Sequence, residues 1–264
     1  MRLPKDEPKP LLDHLEELRW TLLKSAGALG AWVIICFLWT RPILSWFLAP
    51  LRVAGLEPSR FLRVLGVLDP FTIQLEVSLF AGIICSLPWV LYFVGKFILP
   101  ALTPKEARWM IPFFVGGGLL FVGGVLFCYY LLLPQTLRFF FDYGRWLQVE
   151  TQWTLTNYLS FVCQMLLGFG LAFELPLVVL AANAIGILPA ERLRSYRRHA
   201  FVVVVVAAAC LTPGSDPFSL ALLSIPMYLL YEACIWIAWW RERYFGVGDE
   251  AGWSWEEKSG DELL

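Results

Sequence analysis

The sequence is poor in charge. Only 16% of its residues are Asp, Glu, Lys or Arg, against 58% hydrophobic and a mean hydropathy of +0.64. That balance excludes an ordinary soluble domain, in which about a quarter of the residues are charged, and it predicts an all-α polytopic membrane protein. A net charge of -1 offers no basic excess to a polyanion, so no nucleic-acid partner is expected. Histidine occurs only twice. The six cysteines (Cys36, Cys85, Cys128, Cys163, Cys210 and Cys234) stand singly in apolar stretches with no CxxC pair. Neither a metal site nor a disulfide framework follows. There is no Walker loop or other nucleotide signature, and neither a cofactor nor an enzymatic activity is expected. The opening MRLPKDEPKP lacks a small-residue cleavage site and reads as a retained cytosolic tail.

What is present is a series of long apolar runs. A spanning helix needs roughly 20 such residues, and residues 20–40, 72–98, 110–133 and 157–183 meet that requirement. Two shorter runs, around 199–213 and 217–233, are separated by the turn sequence TPGSDP. The first offers only about 18 Å of strictly apolar helix at ~1.5 Å per residue. The pair reads either as a re-entrant hairpin or as two short spans over thinned bilayer, and two spans are favoured. Six transmembrane helices place both termini on one side. Of the 21 Lys and Arg, only Arg41, Arg52, Arg60, Arg63, Arg138 and Arg145 fall on the other side, so the termini are expected in the cytosol. Residues 1–240 then form one transmembrane domain, and 241–264 an acidic cytosolic tail expected to be disordered.

Three constellations could carry function. In LLDHLEELRWTLL, Leu11, Leu15, Leu18 and Leu22 form an apolar stripe leading into the first span. Asp13 and Glu16 have capping-box spacing, while Glu17 and Arg19 project at the cytosolic surface. In FILPALTPKEARW, Thr103, Pro104 and Glu106 occupy N-cap, N1 and N3 positions, which gives Glu106 a structural reading. A second reading gathers Glu16, Glu17 and Glu106 into an acidic patch suited to a guanidinium. Finally, Glu174 sits in the apolar run GFGLAFELPLVVLAA, where a carboxylate should face protein or water rather than lipid. Asn157, Ser160 and Gln164 fall on its side of the helical wheel, and Pro176 should disrupt the helix nearby. Inter-helix hydrogen bonding, a proton relay and a polar cavity all remain open for Glu174. Glu76 and Glu232 read as interfacial acids.

The ordered set HLEELR (His14 to Arg19), APL (Ala49 to Leu51), LPALTPKEARW (Leu99 to Trp109), YLSF and GFGLAFELP (Tyr158 to Pro176), LRSYRR, LTPGSDPFS and LLSIPMYLLYE resembles the TatC family over about residues 11–240. That family is the multispanning receptor subunit of the twin-arginine protein translocase. The resemblance implies a glove-shaped bundle of six helices with short fifth and sixth helices, in the cytoplasmic membrane. It also implies binding of the twin-arginine signal peptides of folded proteins, using Glu17 and Glu106 with Arg19 as neighbour. Pro50 matches an important proline of the first external loop, Glu174 the intramembrane acid of the concave face, and Asp216 an acid of the last external turn. Small single-span Tat subunits, self-association and the proton-motive force are implied as partners and energy source. The sequence departs from the family pattern at Thr21, at Glu76 where a lysine is common, and at residues 93–96. From the residues alone, a proton-coupled small-solute transporter with Glu174 as relay is the main alternative, and a structural scaffold the third.

Overall fold

The structure is a computed structural model that describes residues 11–98, 104–149, 151–184, 188–212 and 217–245; within these, the side chains of 11–13, 104–115, 184 and 244–245 are not described. It is all-α apart from one two-residue strand pair. Helix α1 (Leu11–Leu38) leads through the short helices α2 (Thr40–Phe47), α3 (Ala49–Val53) and α4 (Pro58–Phe61) and strand β1 (Leu62–Arg63) to α5 (Asp69–Ile98). Helix α6 (Pro104–Phe127) runs through a π-helical turn at Cys128–Leu132 into α7 (Leu133–Trp146). Strand β2 (Trp153–Thr154) precedes α8 (Leu155–Ala172) and α9 (Leu175–Ala184), and then α10 (Ala190–Ser195), α11 (Arg197–Leu211) and α12 (Pro217–Phe245) follow. Among the described residues, five helical stretches are long and apolar enough to cross a membrane: 14–38, 69–98, 116–146, 155–183 and 217–243.

Small residues set the helix contacts, as expected where lipid supplies no hydrophobic drive between helices. A methyl group added at Gly82 of α5 would lie 2.8 Å from the Val33 Cα of α1, so only glycine permits that approach. The same pair is tied at one end by Gln74 Nε2 donating to the Phe37 carbonyl at 3.3 Å, and Thr40, at the start of α2, holds its hydroxyl 3.2 Å from that of Ser78. Phe121 of α6 and Leu159, Leu166 and Phe169 of α8 are fully enclosed at the centre of the main core. Helices α2 to α4 cap one end of the bundle, with Phe47 and Leu51 buried beneath them. Tyr129 donates to the Trp46 carbonyl at 2.9 Å and Tyr158 to that of Phe47 at 2.8 Å, satisfying backbone groups in the irregular stretch before Pro50. In the cap, β1 pairs with β2 in parallel, Leu62 opposite Trp153.

Three expectations change. Asp13 already lies within helix α1, which is helical from the first described residue, so it is not the N-cap. The last helix is not short: α12 has 29 residues and continues well past 233, while α11, with 15, is the short one of the pair. The expectation stopped at Glu232 because a charge reads as the end of a span. Here that charge is matched by Arg197 across the helix pair, and the apolar sequence resumes with ACIWIAWW. The last expected boundary also moves, since Arg241 and Glu242 belong to α12 and pack on the body of the bundle.

Candidate functional site

The first turns of α1 run beside the last turn of α5, with Leu15, Leu18 and Leu22 of the apolar stripe left exposed. His14 stacks on Phe97 with ring centroids 4.6 Å apart and planes at 16°, joining the two helix ends. Glu17, one turn further on, holds its carboxylate 4.0 Å from His14 Nδ1 and is half-buried. Thr21 turns back to donate to the Glu17 carbonyl at 2.8 Å, and Arg19 is exposed. Helix α6 is described from Pro104 on, and Thr103, the expected N-cap, lies outside the described residues. Glu106 therefore sits in the first turn of α6, at the same end of the bundle as Glu17, although its side chain is outside the described residues.

The second site lies where α8 stops. Phe173 and Glu174 form a turn between α8 and α9, just before Pro176, whose missing N–H forbids a continuous ladder. The Glu174 N–H bonds the Leu171 carbonyl at 3.1 Å, a tightened i→i-3 contact, and its own carbonyl accepts from Val178 at 3.2 Å. The side chain reaches toward α6, where a methyl group at Gly117 would lie 3.0 Å from its Oε2. Both carboxylate oxygens are buried, and neither has a hydrogen-bond partner among the described residues. An enclosed acid with nothing to bond is costly unless something else binds it. Gln164 does not share this place. It is ten residues earlier, about 15 Å along the helix axis, and half-buried.

The polar side of α8 is put to other uses. Ser160 donates a short hydrogen bond to Glu76 of α5, so that acid links two helices. Asn157 lies at the first turn of α8, its N–H bonded to the Thr154 N-cap oxygen at 3.3 Å, and lines a cavity of about 440 Å³ with Phe140, Trp153 and Tyr158. Glu232 accepts from Arg197 at 2.7 Å and from the Tyr228 hydroxyl at 3.1 Å, joining α11 to α12. Sequence reasoning passed over one further cluster: Glu242 Oε1 accepts from Asn183 Nδ2 at 2.8 Å and from the Ala190 N–H at 2.9 Å, while Arg241 donates to the Asn183 carbonyl at 2.8 Å. The end of α12 thus fastens the α9–α10 corner. The only signal was two opposite charges directly after a tryptophan pair.

Pro50 is buried at the start of α3, inside the cap. Asp216 lies outside the described residues.

A family profile described as Sec-independent protein translocase protein (TatC) matches residues 13–226. The chain belongs to the TatC family. A TatC protein from Akkermansia muciniphila is 40% identical over 185 residues, which is 69% of this chain and 53% of that protein. The chloroplastic TATC of Arabidopsis thaliana is 35% identical over 235 residues, 89% of this chain and 68% of that one. The chain therefore spans about half the length of the first relative and about two thirds of the second. A crystal structure described as the twin arginine translocase receptor TatC superposes with a TM-score of 0.76 at 33% identity, over 86% of this chain and 98% of that chain. With five helices long and apolar enough to cross a membrane among its described residues, the chain is a polytopic membrane-type member of this family, and the small-solute transporter reading is set aside.

Proposed function

We propose that the chain is the core receptor subunit of a twin-arginine translocase, placed in the cytoplasmic membrane with both termini in the cytosol. Glu17 and Glu106 receive the paired arginines of a folded protein's signal peptide, with Arg19 beside them. The apolar part of the signal then follows the bundle toward Glu174. In this reading α11 serves as a sixth, short span, about 22 Å long, over locally thinned bilayer; the six form one glove-shaped domain that takes in Arg241 and Glu242 at the end of α12. Gln164 belongs to the polar lining above Glu174, and Pro50 and Asp216 act on the external face. Small single-span Tat subunits and further copies of the chain complete the passage, driven by the proton-motive force.

The observation that carries this reading is the docking of α1 on the end of α5 through His14 and Phe97. It brings Glu17 to the end of the bundle where α6 begins with Glu106. Two carboxylates at one surface suit guanidinium forks, each of which presents a pair of N–H donors to a carboxylate. The test is site-specific crosslinking of a signal peptide to the chain in membranes. The native twin-arginine peptide should crosslink near Glu17 and Glu106, a twin-lysine version much less, and Glu106→Ala should cut the signal several-fold. Equal crosslinking of both peptides, unchanged by Glu106→Ala, would sink the receptor reading.

A further inference from the structure

The cap opposite the α1 N-terminus ends in an exposed apolar tip, VLGVL, residues 64–68. Its side chains point away from the protein: Leu65 is 76% exposed, Val67 98% and Leu68 74%. A water-facing loop has no use for four such residues in a row of five. The exposure does not stop at the loop. Phe71, Leu75 and Leu79 extend it along one face of α5, at the i, i+4, i+8 spacing of a lipid-facing stripe on a helix that spans the membrane.

The backbone of the tip is partly tied to the start of α5. Asp69 Oδ2 accepts from the N–H of Gly66 at 2.7 Å and from that of Leu65 at 3.2 Å. The Gly66 carbonyl accepts from Asp69 at 3.3 Å, and that of Leu68 from Phe71 and Thr72, both at 3.1 Å. A methyl group at Gly66 would push the Asp69 carboxylate out of this arrangement. Just before the tip, β1 pairs with β2. Two N–H groups and two carbonyls of the tip are thus satisfied within the segment, which lowers the cost of bringing it into a poorly hydrated layer.

Length and charge agree. Helix α5 has 30 residues, about 45 Å at 1.5 Å per residue, close to the ~40–45 Å of a bilayer with its headgroups. Its start therefore falls in the headgroup layer. Arg63 is exposed immediately before the tip, and Arg41, Arg52 and Arg60 are exposed elsewhere on the same cap. Arginines behind an apolar wedge keep their guanidinium groups at the level of lipid phosphates. This also accounts for four arginines on the side of the membrane that the positive-inside rule leaves poor in cations.

We infer that the Val64–Leu68 tip is a membrane anchor: it inserts into the phospholipid leaflet around the cap, with Arg63 on the headgroup phosphates, and holds the cap against the bilayer surface. Its occupant is lipid, not a partner protein.

The test uses the full chain with its six cysteines replaced by alanine, carrying V67C labelled with an environment-sensitive NBD fluorophore, in vesicles of phosphatidylethanolamine and phosphatidylglycerol. Insertion predicts blue-shifted emission, several-fold stronger quenching by a shallow doxyl-labelled lipid than by aqueous iodide, and a return toward the aqueous spectrum when Leu65→Asp and Leu68→Asp are added. An aqueous spectrum open to iodide, or a blue shift that disappears on dilution to one chain per vesicle, would overturn the proposal, the latter by pointing to a second copy as occupant. The readout does not involve signal peptide, so a negative result leaves the receptor reading standing.

Discussion

Two regions of this bundle treat a carboxylate in opposite ways. Between α11 and α12, Glu232 is fully engaged, accepting from Arg197 and Tyr228. At the α8–α9 break, Glu174 is buried against Gly117 with neither oxygen bonded among the described residues. Burial makes both positions expensive, but only the first recovers the cost through contacts of its own chain. Structure explains why the chain keeps Glu232; nothing in the described structure explains Glu174. The proposed receptor role supplies the missing return, with Glu174 serving a signal peptide or partner that visits the site.

That difference predicts opposite responses to the same kind of mutation. Glu232→Leu removes the partner of Arg197, whose Nε is already buried without a hydrogen bond. With side chains 38% and 24% exposed, the pair is only half withdrawn from solvent, so the loss should be about 2 kcal/mol, below the 3–5 of a fully buried pair. Restoring the charge with the exchanged pair Arg197→Glu, Glu232→Arg should recover about half of it. At the other site, Glu174→Leu removes two unbonded buried oxygens and should leave stability unchanged or raise it by about 1 kcal/mol, while abolishing export of a twin-arginine precursor. Glu174→Gln should keep most of the export, because an amide still accepts and donates hydrogen bonds. Unfolding titrations in mixed micelles, alongside an export assay in vesicles, read both. The comparison breaks if Glu174→Leu destabilises as much as Glu232→Leu, since that would make Glu174 a structural acid after all.

How much of this was legible in the sequence depends on how local the determinant is. The spans were visible because an apolar run of 20 residues is a local property. So was the break before Pro176, since proline acts on its own helix wherever it stands. The end of α12 was not visible: whether Glu232 closes a span depends on Arg197, 35 residues away. The same holds for Glu76, which composition places at an interface and Ser160 draws into the bundle. The wheel that grouped Gln164 with Glu174 assumed one straight helix. The turn at Phe173 and Glu174 interrupts it, and the axial separation was too large from the start. Glu17 was legible as a surface acid, but its position at the end of α5 needed the pairing of His14 with Phe97.

Glu76 gives the smallest test and a useful third case. It is bonded, like Glu232, but to a neutral hydroxyl instead of a cation. Hydrogen bonds between helices in a membrane contribute about 0.6 kcal/mol on average and rarely more than 1.7, because the separated helices find other partners. Ser160→Ala should therefore cost only about 0.6 kcal/mol in the same unfolding titration and leave export near normal. Adding Glu76→Leu to Ser160→Ala should cost no more than Ser160→Ala alone, since an apolar pair of similar volume leaves no orphaned group. If the double variant instead loses export at full stability, Glu76 belongs with Glu174 among the acids that serve a visitor, and the division between bonded structural acids and unbonded functional ones does not hold.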